Sequence, residues 1–482
     1  MENTRARVLV LNPPFLPGFV RSARWAARSR GRVQRHPDYL LTAVAVLEQV
    51  GHLVLFLDGA ALDVARDRVL AKAERFRPDL AVLHTTTPSI YSDLGFAAAI
   101  KARTDAVVAL VGNHATAEPD DTFRIAGDGV DVILRGEYDF SLRDLAADPT
   151  RRDIGGLSFR RDGVVTHNPL PPPLDVNELP VPAWRHVRPE WYPDAGKLFP
   201  FLTLLSGRGC FARCTFCQDP QISGGRRLRM RDPARVVDEM ESDLRVFPRI
   251  REIMFETDTF SALPAHVSGV CEEILRRGLK VRWSCNTRVD IDLSLLPLMK
   301  RAGCRMLMTG FEFGTQEALD AVRKGVTLEQ SRRFARAARK TGLTVHGCFM
   351  IGAPGETRES ARKTIDFACS LPMDTVQFSG ICVYPGTEMY DWAKAGGFLV
   401  PRDWREWVSE TGEQVTLLNY PDLPKAEIDA LIDEGLRRFY LRPRQMMKMM
   451  AAVRSWGDVR RKVYGARKFF GYFRDKKRGG RG

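Results

Sequence analysis

Short apolar runs alternate with longer, helically spaced stretches over roughly the first 145 residues, and this rhythm organises much of the chain. Residues 8–11, 53–57, 80–84, 107–111 and 132–134 are aliphatic and of strand length. Between them lie helix-length segments such as 40–50, which Gly51 stops. Strands separated by helices cannot pair as hairpins, so the pattern predicts a doubly wound parallel α/β sheet. Ligands of such sheets bind beyond the C-terminal ends of the strands. The loops there are Asn12-Pro13-Pro14, Thr85-Thr86-Thr87-Pro88, Gly112-Asn113-His114-Ala115 and Arg135-Gly136-Glu137.

Near residue 149 the rhythm breaks. Pro169, Pro171, Pro172, Pro173, Pro180 and Pro182 crowd a stretch that cannot be helical, and 149–195 reads as a linker. Leu174, Val176, Leu179, Val181 and Trp184 give it apolar anchors, so it is expected to lie along the domains it joins. The alternation then resumes, with candidate strands at 201–205, 252–255, 281–285, 306–309, 344–350 and 375–382. Six parallel strands with intervening helices make a partial (β/α)6 barrel, whose chemistry collects at the C-terminal mouth. The expected domains are a sheet domain over 1–148, the linker, a barrel over 196–400 and a helical region over 401–482.

Composition changes this picture in two places. The 482 residues are enough for several cores, and no apolar run approaches the ~20 residues that cross a bilayer. The first residues carry Glu2, Arg5 and Arg7 and lead into a strand rather than a signal peptide. A cytoplasmic, reducing setting is therefore expected. The net charge of +14 sits at one end: from Arg437 onward there are sixteen Lys and Arg against Asp458 and Asp475. Among these charges Met446, Met449, Met450, Val453, Trp456, Val459 and Val463 recur at helical spacing, and Phe469, Phe470, Tyr472 and Phe473 follow. Either the methionines pack on the barrel, or a basic amphipathic helix lies on an anionic membrane, or the tail meets RNA or an acidic partner. Nucleic acid is the least expected of these partners.

The nine cysteines form the second departure, since none precedes Cys210 and none follows Cys382. Three are clustered in Ser206-Gly207-Arg208-Gly209-Cys210-Phe211-Ala212-Arg213-Cys214-Thr215-Phe216-Cys217, directly after a strand. Close thiolates suit soft metals. Structural zinc takes four ligands, and no fourth Cys or His stands at a conventional spacing. A [4Fe-4S] cluster usually takes four cysteines, so three leave one iron open to a substrate. On spacing alone, a zinc site and three core thiols stay open.

Cys210-x3-Cys214-x2-Cys217 is similar to the signature of the radical S-adenosylmethionine (SAM) superfamily. The resemblance implies an enzyme in which SAM's amino and carboxylate groups chelate the open iron. One electron then cleaves SAM to a 5′-deoxyadenosyl radical that abstracts hydrogen from an unactivated carbon. Other segments match in order. Phe255-Glu256-Thr257-Asp258-Thr259-Phe260 stands where the family holds SAM's amino group, which makes Glu256 and Asp258 candidates. Cys285-Asn286-Thr287-Arg288-Val289-Asp290 offers Asn286 and Arg288, and Gly310-Phe311-Glu312-Phe313-Gly314 offers Glu312. Gly352-Ala353-Pro354-Gly355-Glu356-Thr357 resembles the adenine-contacting segment, with Gly352 and Pro354. Tyr384-Pro385-Gly386-Thr387 follows the sixth strand.

No G-x-G-x-x-G follows the first strand, which argues against a Rossmann dinucleotide site. The stretch from Leu47 to Val54, Asp58 and the loops at Gly112 and Arg135 instead resemble the cobalamin-binding domain upstream of many radical SAM enzymes. That likeness implies a cobalamin cofactor, with Thr85, Gly112, His114 and Glu137 as candidate contacts. Where histidine-ligating cobalamin domains carry D-x-H-x-x-G, this chain has Asn12-Pro13-Pro14-Phe15. The cobalt is then expected to lack a protein histidine below it, and His114 becomes a corrin contact or a loop cap. The two resemblances together span residues 5–445.

Four functions compete on this evidence. The first is methyl transfer to a carbon of a small-molecule or lipid-like biosynthetic intermediate. The second is oxidative cyclisation or ring rearrangement. The Asn12-Pro13-Pro14-Phe15 opening and Phe439-Tyr440-Leu441-Arg442-Pro443-Arg444 resemble the branch with the anaerobic magnesium-protoporphyrin ester cyclase and a hopanoid-tailoring enzyme. The third, tRNA methylthiolation, needs a second cluster upstream, for which no cysteine exists. The fourth is a cobalamin-binding sensor, which would not need the cysteine triad. An electron donor such as flavodoxin or ferredoxin is implied for the enzyme readings. No acid, base or nucleophile is diagnostic of the catalytic step.

Overall fold

The computed structural model describes residues 5–451 apart from 23, 30 and 32, together with 459, 463 and 467. The expected apolar positions Val453 and Trp456 and the group from Phe469 to Phe473 lie outside the described residues.

In the N-terminal sheet, β1 (Arg7–Asn12) lies second from one edge. The antiparallel pair β2 (Val20–Arg21) and β3 (Ala26–Ala27) forms a short arm. β4 (Leu53–Asp58), β5 (Leu80–His84), β6 (Val107–Val111) and β7 (Val132–Leu134) follow. The order is β4-β1-β5-β6-β7, all parallel. Side chains of β1 alternate between two cores, with Val8 and Val10 on one face and Leu9 and Leu11 on the other. This is the doubly wound arrangement, and its order reverses between β1 and β5, where such sheets open a ligand crevice.

The proline-rich stretch is not uniform. Its start folds into the hairpin β8 (Leu157–Arg161) and β9 (Val164–His167), which extends the sheet antiparallel to β7. Asp162 and Gly163, both at positive φ, make the two-residue turn. Further on, Val176, Leu179 and Trp184 are buried as apolar anchors, while Val181 is 40% exposed. Tyr192 is fully buried and donates its hydroxyl to Asp58 Oδ2 at 2.7 Å.

The second sheet starts with β10 (Phe201–Leu204), followed by a small antiparallel ribbon of β11 (Gly207–Arg208) and β12 (Arg229–Met230). It continues through β13 (Glu252–Phe255), β14 (Trp283–Thr287), β15 (Cys304–Glu312), β16 (Thr344–Ile351) and β17 (Thr375–Gly380). The six long strands are parallel and stand in chain order, as a partial barrel requires. One apolar core runs from Val8 through the barrel to Phe439, so one face of the N-terminal sheet shares its core with the barrel while the other face keeps a core of its own.

A helix over Lys425–Tyr440 packs Ile428, Leu431, Ile432 and Phe439 inward. The next helix, Pro443–Ala451, is held by Gln445 Nε2 donating to the Asp374 carbonyl (2.6 Å) and by Lys448 beside Asp374 (2.9 Å). Three of its four methionines are exposed, Met446, Met447 and Met450 at 48%, 58% and 65%, while Met449 is half-buried. Among the described residues no helix is long and apolar enough to cross a membrane.

Candidate active site at the barrel mouth

The cysteine loop occupies the excursion between β11 and β12, and two glycines close its base. A Cβ on Gly207 would lie 2.5 Å from the Arg229 carbonyl oxygen. Gly209, at φ +83°, would place one 2.4 Å from the Arg227 carbonyl oxygen. Within the loop Cys210, Ala212 and Cys214 form one buried cluster with Phe216 and Cys217 against it. Gln221 Nε2 donates to the carbonyls of Thr215 (3.1 Å) and Cys217 (2.6 Å), and Thr215 N–H donates to Val322 O (3.1 Å). Burial raises the Cys214 and Cys217 thiols, and Asp219 raises Cys217 further. Metal binding must therefore release these protons.

Among the described residues no group of three or more His, Cys, Asp or Glu side chains is placed to hold a metal ion. A cube-shaped iron–sulfur cluster asks for something different. Each thiolate meets its own iron, so the ligands stand further apart than around one ion. Three thiols spread along one rigid loop fit that donor set better than they fit tetrahedral zinc.

Charged residues surround the loop on two sides. Beside Cys217 stand Asp219, Glu256 and Asp258. Arg24, from the arm of the N-terminal domain, donates through Nη2 to the Glu256 carbonyl (2.8 Å) and to Asp258 Oδ1 (3.2 Å). Its Nη1 lies 3.6 Å from Glu256 Oε1. Three carboxylates thus face one guanidinium; Glu256 Oε2 is buried without a partner, and Asp258 shares a hydrogen bond with Asp219. Burial, then Asp258, push the Asp219 carboxyl well above the usual carboxylate range. Such a side can accept a further cation, for instance an ammonium group. Beside Cys214 the chemistry is reversed. Arg288 binds Asp290 (2.9 Å), donates to the Lys324 carbonyl (3.0 Å) and stacks over Phe211 (5.4 Å). Lys324 Nζ pairs with Glu312 at 2.6 Å. Asn286 donates to the Thr257 carbonyl (3.3 Å) and so ties the ends of β13 and β14 together.

Gly352, at φ +103°, and Ala353 direct their N–H groups at Glu356 Oε2 (2.5 and 3.2 Å), while the Tyr420 hydroxyl donates to the Gly352 carbonyl (3.0 Å). Pro354 lies between these anchors. Burial pushes Glu356 up to about 7. The loop after β16 is thus fixed from inside, leaving its outer face to a ligand.

A cleft of about 870 Å³, counted with the open solvent space at its rim, separates this mouth from the C-terminal edge of the N-terminal sheet. Asn12, His84, Gly112 and Glu137 line one wall, and Leu205, Ser223, Glu256 and Asp258 line the other. A Cβ on Gly112 would sit 2.4 Å from the Thr85 carbonyl oxygen, so this wall needs glycine. Asn12 Oδ1 and His84 Nδ1 are buried there without partners. Those orphaned polar atoms and the position at the switch point suit a large amide-bearing ligand such as a corrin. Thr85 donates its hydroxyl to the Val111 carbonyl (2.9 Å) and lines a narrow annex of the cleft. Glu137 is bound by Arg229 through both oxygens (2.7 and 2.8 Å). His114 lies behind the wall, near Thr87 Oγ1 (3.2 Å) and edge-on to Trp404 (5.0 Å). The histidines that reach the cleft are His36 and His84, and burial lowers both to about 3. Neither they nor Arg24 carries a local motif. Arg24 stands 232 positions before Glu256, so only the fold joins them.

Residues 204–368 match the family model of the Radical SAM superfamily. An uncharacterised methyltransferase of Pyrococcus horikoshii, PH0819, is 30% identical over 420 residues, covering 86% of this chain and 89% of that protein. The anaerobic magnesium-protoporphyrin IX monomethyl ester cyclase of Rubrivivax gelatinosus is 28% identical over 90% of this chain and 77% of its own. The radical SAM methyltransferase TsrM from Kitasatospora setae, solved with cobalamin and a [4Fe-4S] cluster, superposes with a TM-score of 0.70. It shares 18% identity over 97% of this chain and all of its own, a likeness of fold. With a family match across the stretch that bears the three thiols and an archaeal relative aligned over nearly its whole length, this chain belongs to the radical SAM superfamily.

Proposed function

We propose that this enzyme is a cobalamin-dependent radical SAM methyltransferase acting on an unactivated carbon of a small-molecule or lipid-like intermediate. The observation that carries the reading is the shared cleft: the crevice of the N-terminal sheet and the barrel mouth open into one space. A group held on one wall therefore faces a group held on the other. The Pyrococcus relative is called a methyltransferase, and TsrM holds both cofactors in this architecture. When bound, the cluster and cobalamin supply the electron and the transferable methyl group. The chain's own residues hold and orient. Cys210, Cys214 and Cys217 ligate three irons. Glu256 and Asp258 take SAM's ammonium, with Arg288, Lys324 and Glu312 on the opposite side. The Gly352 loop, braced by Glu356, meets the adenine, and Asn12, His84 and Gly112 border the corrin.

Cyclisation, the activity named for the Rubrivivax relative, is the competing outcome. Anaerobic reconstitution with SAM, methylcobalamin and a reductant separates the two. S-adenosylhomocysteine together with 5′-deoxyadenosine is expected. Deoxyadenosine alone would favour cyclisation, and neither product from a fully loaded enzyme given candidate substrates would overturn both.

The exposed Met446, Met447 and Met450 beside the basic tail support peripheral contact with an anionic membrane. The full chain is expected to pellet with phosphatidylglycerol vesicles and a version ending at Leu441 is not; equal pelleting would sink the idea.

A further inference from the structure

The barrel wall made by β15, β16 and β17 is buried on its outer side and accessible on its inner side. Outward-facing Val345, Phe349, Val376 and Phe378 are buried, and Phe378 lies against Gly435 of the helix Lys425–Tyr440. Inward-facing Met308, His346, Cys348 and Ser379 are only half-buried, and Gln377 is exposed. The strand register sets Met308, His346 and Thr375 in one row, with Gly310, Cys348 and Gln377 in the next row toward the mouth. An eight-stranded barrel fills its interior with packed side chains, whereas these six strands in open order leave a trough beneath the mouth.

At the floor of the trough stands Lys197, 1% exposed, from the loop that leads into β10. Its Nζ donates to Met308 Sδ (2.9 Å), to Met254 Sδ (3.0 Å) and to the Ser284 hydroxyl (3.2 Å). Thioethers are weak acceptors, and among the described residues no carboxylate stands within ion-pair distance of this ammonium. The acids nearest in effect, Asp194 and Glu252, are already engaged. Glu252 is bound by Arg305 (2.7 Å), by the Ser284 hydroxyl (2.5 Å) and by the Leu198 N–H (2.7 Å). Asp194 is bound by Arg35 (2.8 Å) and the Gly196 N–H (2.7 Å). A buried ammonium left in this state is costly until an anion joins it.

We propose that the trough holds the substrate by a carboxylate seated on Lys197 Nζ, with the carbon to be modified turned up toward the mouth. The inference rests on the methyltransferase reading above and narrows its substrate to a compact carboxylic acid. One uncompensated positive charge matches one negative charge, whereas a phosphate monoester would bring nearly two beside Glu252 and Asp194. A carboxylate exchanges weak thioether contacts for charge-assisted hydrogen bonds. Met308, half-buried and unbranched, can swing aside to admit it. From Met254, beside Nζ, to Glu256 at the mouth is two residues of extended chain, about 7 Å. An acid of hexanoate length covers that distance.

The test follows thermal denaturation of the full-length, cluster-reconstituted protein under anaerobic conditions. Sodium hexanoate is the probe and hexanamide its uncharged counterpart. Hexanoate is expected to raise the wild-type midpoint by about 2 °C, and hexanamide not at all. In Lys197→Met the hexanoate shift should vanish. The midpoint of that variant without ligand should match or exceed wild type, because an apolar residue of similar length replaces a lone buried charge. Met308→Glu tethers a carboxylate beside Nζ; it too should remove the hexanoate shift, and it keeps the test decisive if Lys197→Met does not fold. No hexanoate shift in wild type, equal shifts from hexanoate and hexanamide, or an undiminished hexanoate shift in either variant overturns the seat. The midpoint needs no turnover. A wild type that responds to hexanoate yet forms no S-adenosylhomocysteine with SAM, methylcobalamin and a reductant therefore counts against the methyltransferase reading and leaves the seat standing.

Discussion

Cys214→Ala is expected to reduce reconstituted iron from about four per chain to near zero and to abolish SAM cleavage. A loop with two thiols keeps only half the usual ligand set of such a cluster. The contrast that isolates this effect is Cys271→Ala. Cys271 is fully buried in the helix Pro264–Arg276, against the barrel core and away from the loop. Its loss removes packing worth about 1 kcal/mol and leaves the cluster in place. Iron analysis and the absorbance near 400 nm of the two variants provide the measurement. If Cys214→Ala retained full iron and produced deoxyadenosine, the assignment of the triad would fail.

Arg208→Ala is expected to lower the stability of the folded chain by about 3–5 kcal/mol, the range for breaking a buried ion pair from one side. Arg208 is 1% exposed and sits one ribbon strand before the cysteine loop. It reaches out of the barrel to the N-terminal domain, where it pairs with Asp139 (2.6 and 3.1 Å). It also stands 3.7 Å from Glu137 and stacks over Tyr39 (4.6 Å). Removal strands the Asp139 carboxylate, itself 1% exposed, inside the domain boundary. The Arg208→Met/Asp139→Leu pair should cost much less, since an apolar pair of similar volume leaves no lone charge. Denaturation midpoints of the three proteins decide it. A single variant as stable as wild type would show that the pair contributes nothing.

Much of the fold was legible because its strands are apolar on both faces, and β5, β6, β7 and β13 fall where the pattern put them. The barrel strands that were misplaced carry polar residues toward the lumen. β14 runs two residues beyond its expected end because Ser284, Asn286 and Thr287 belong to it while Val281 does not. β15 extends through Gly310, which reads as a break; a Cβ there would overlap Glu312 Oε1, so the glycine is the condition for the Glu312–Lys324 pair. The hairpin β8–β9 had a legible turn in Asp162-Gly163, but the prolines that follow outweighed it. In the site, the sequence pointed to residues carried by contiguous motifs, such as Glu256, Arg288 and Gly352. Arg24, His36, His84 and Lys324 were not so marked, since each acquires its meaning from partners brought close only by the fold.

The arm that delivers Arg24 is covered by the far end of the chain. Phe19, Ala26 and Ala27 pack on Val408, Arg28 N–H donates to the Gly412 carbonyl (2.6 Å), and Ala26 N–H donates to the Tyr384 hydroxyl (3.1 Å). Some 380 residues separate the two halves of this clasp. At a ribosomal pace of about 5–20 residues per second, the arm waits roughly 20–80 seconds for its cover. For roughly the second half of that interval the cysteine loop is already made, while the cover that fixes the arm beside it is not. The order of synthesis thus leaves the arm that carries Arg24 without its cover until residues 408–412 arrive.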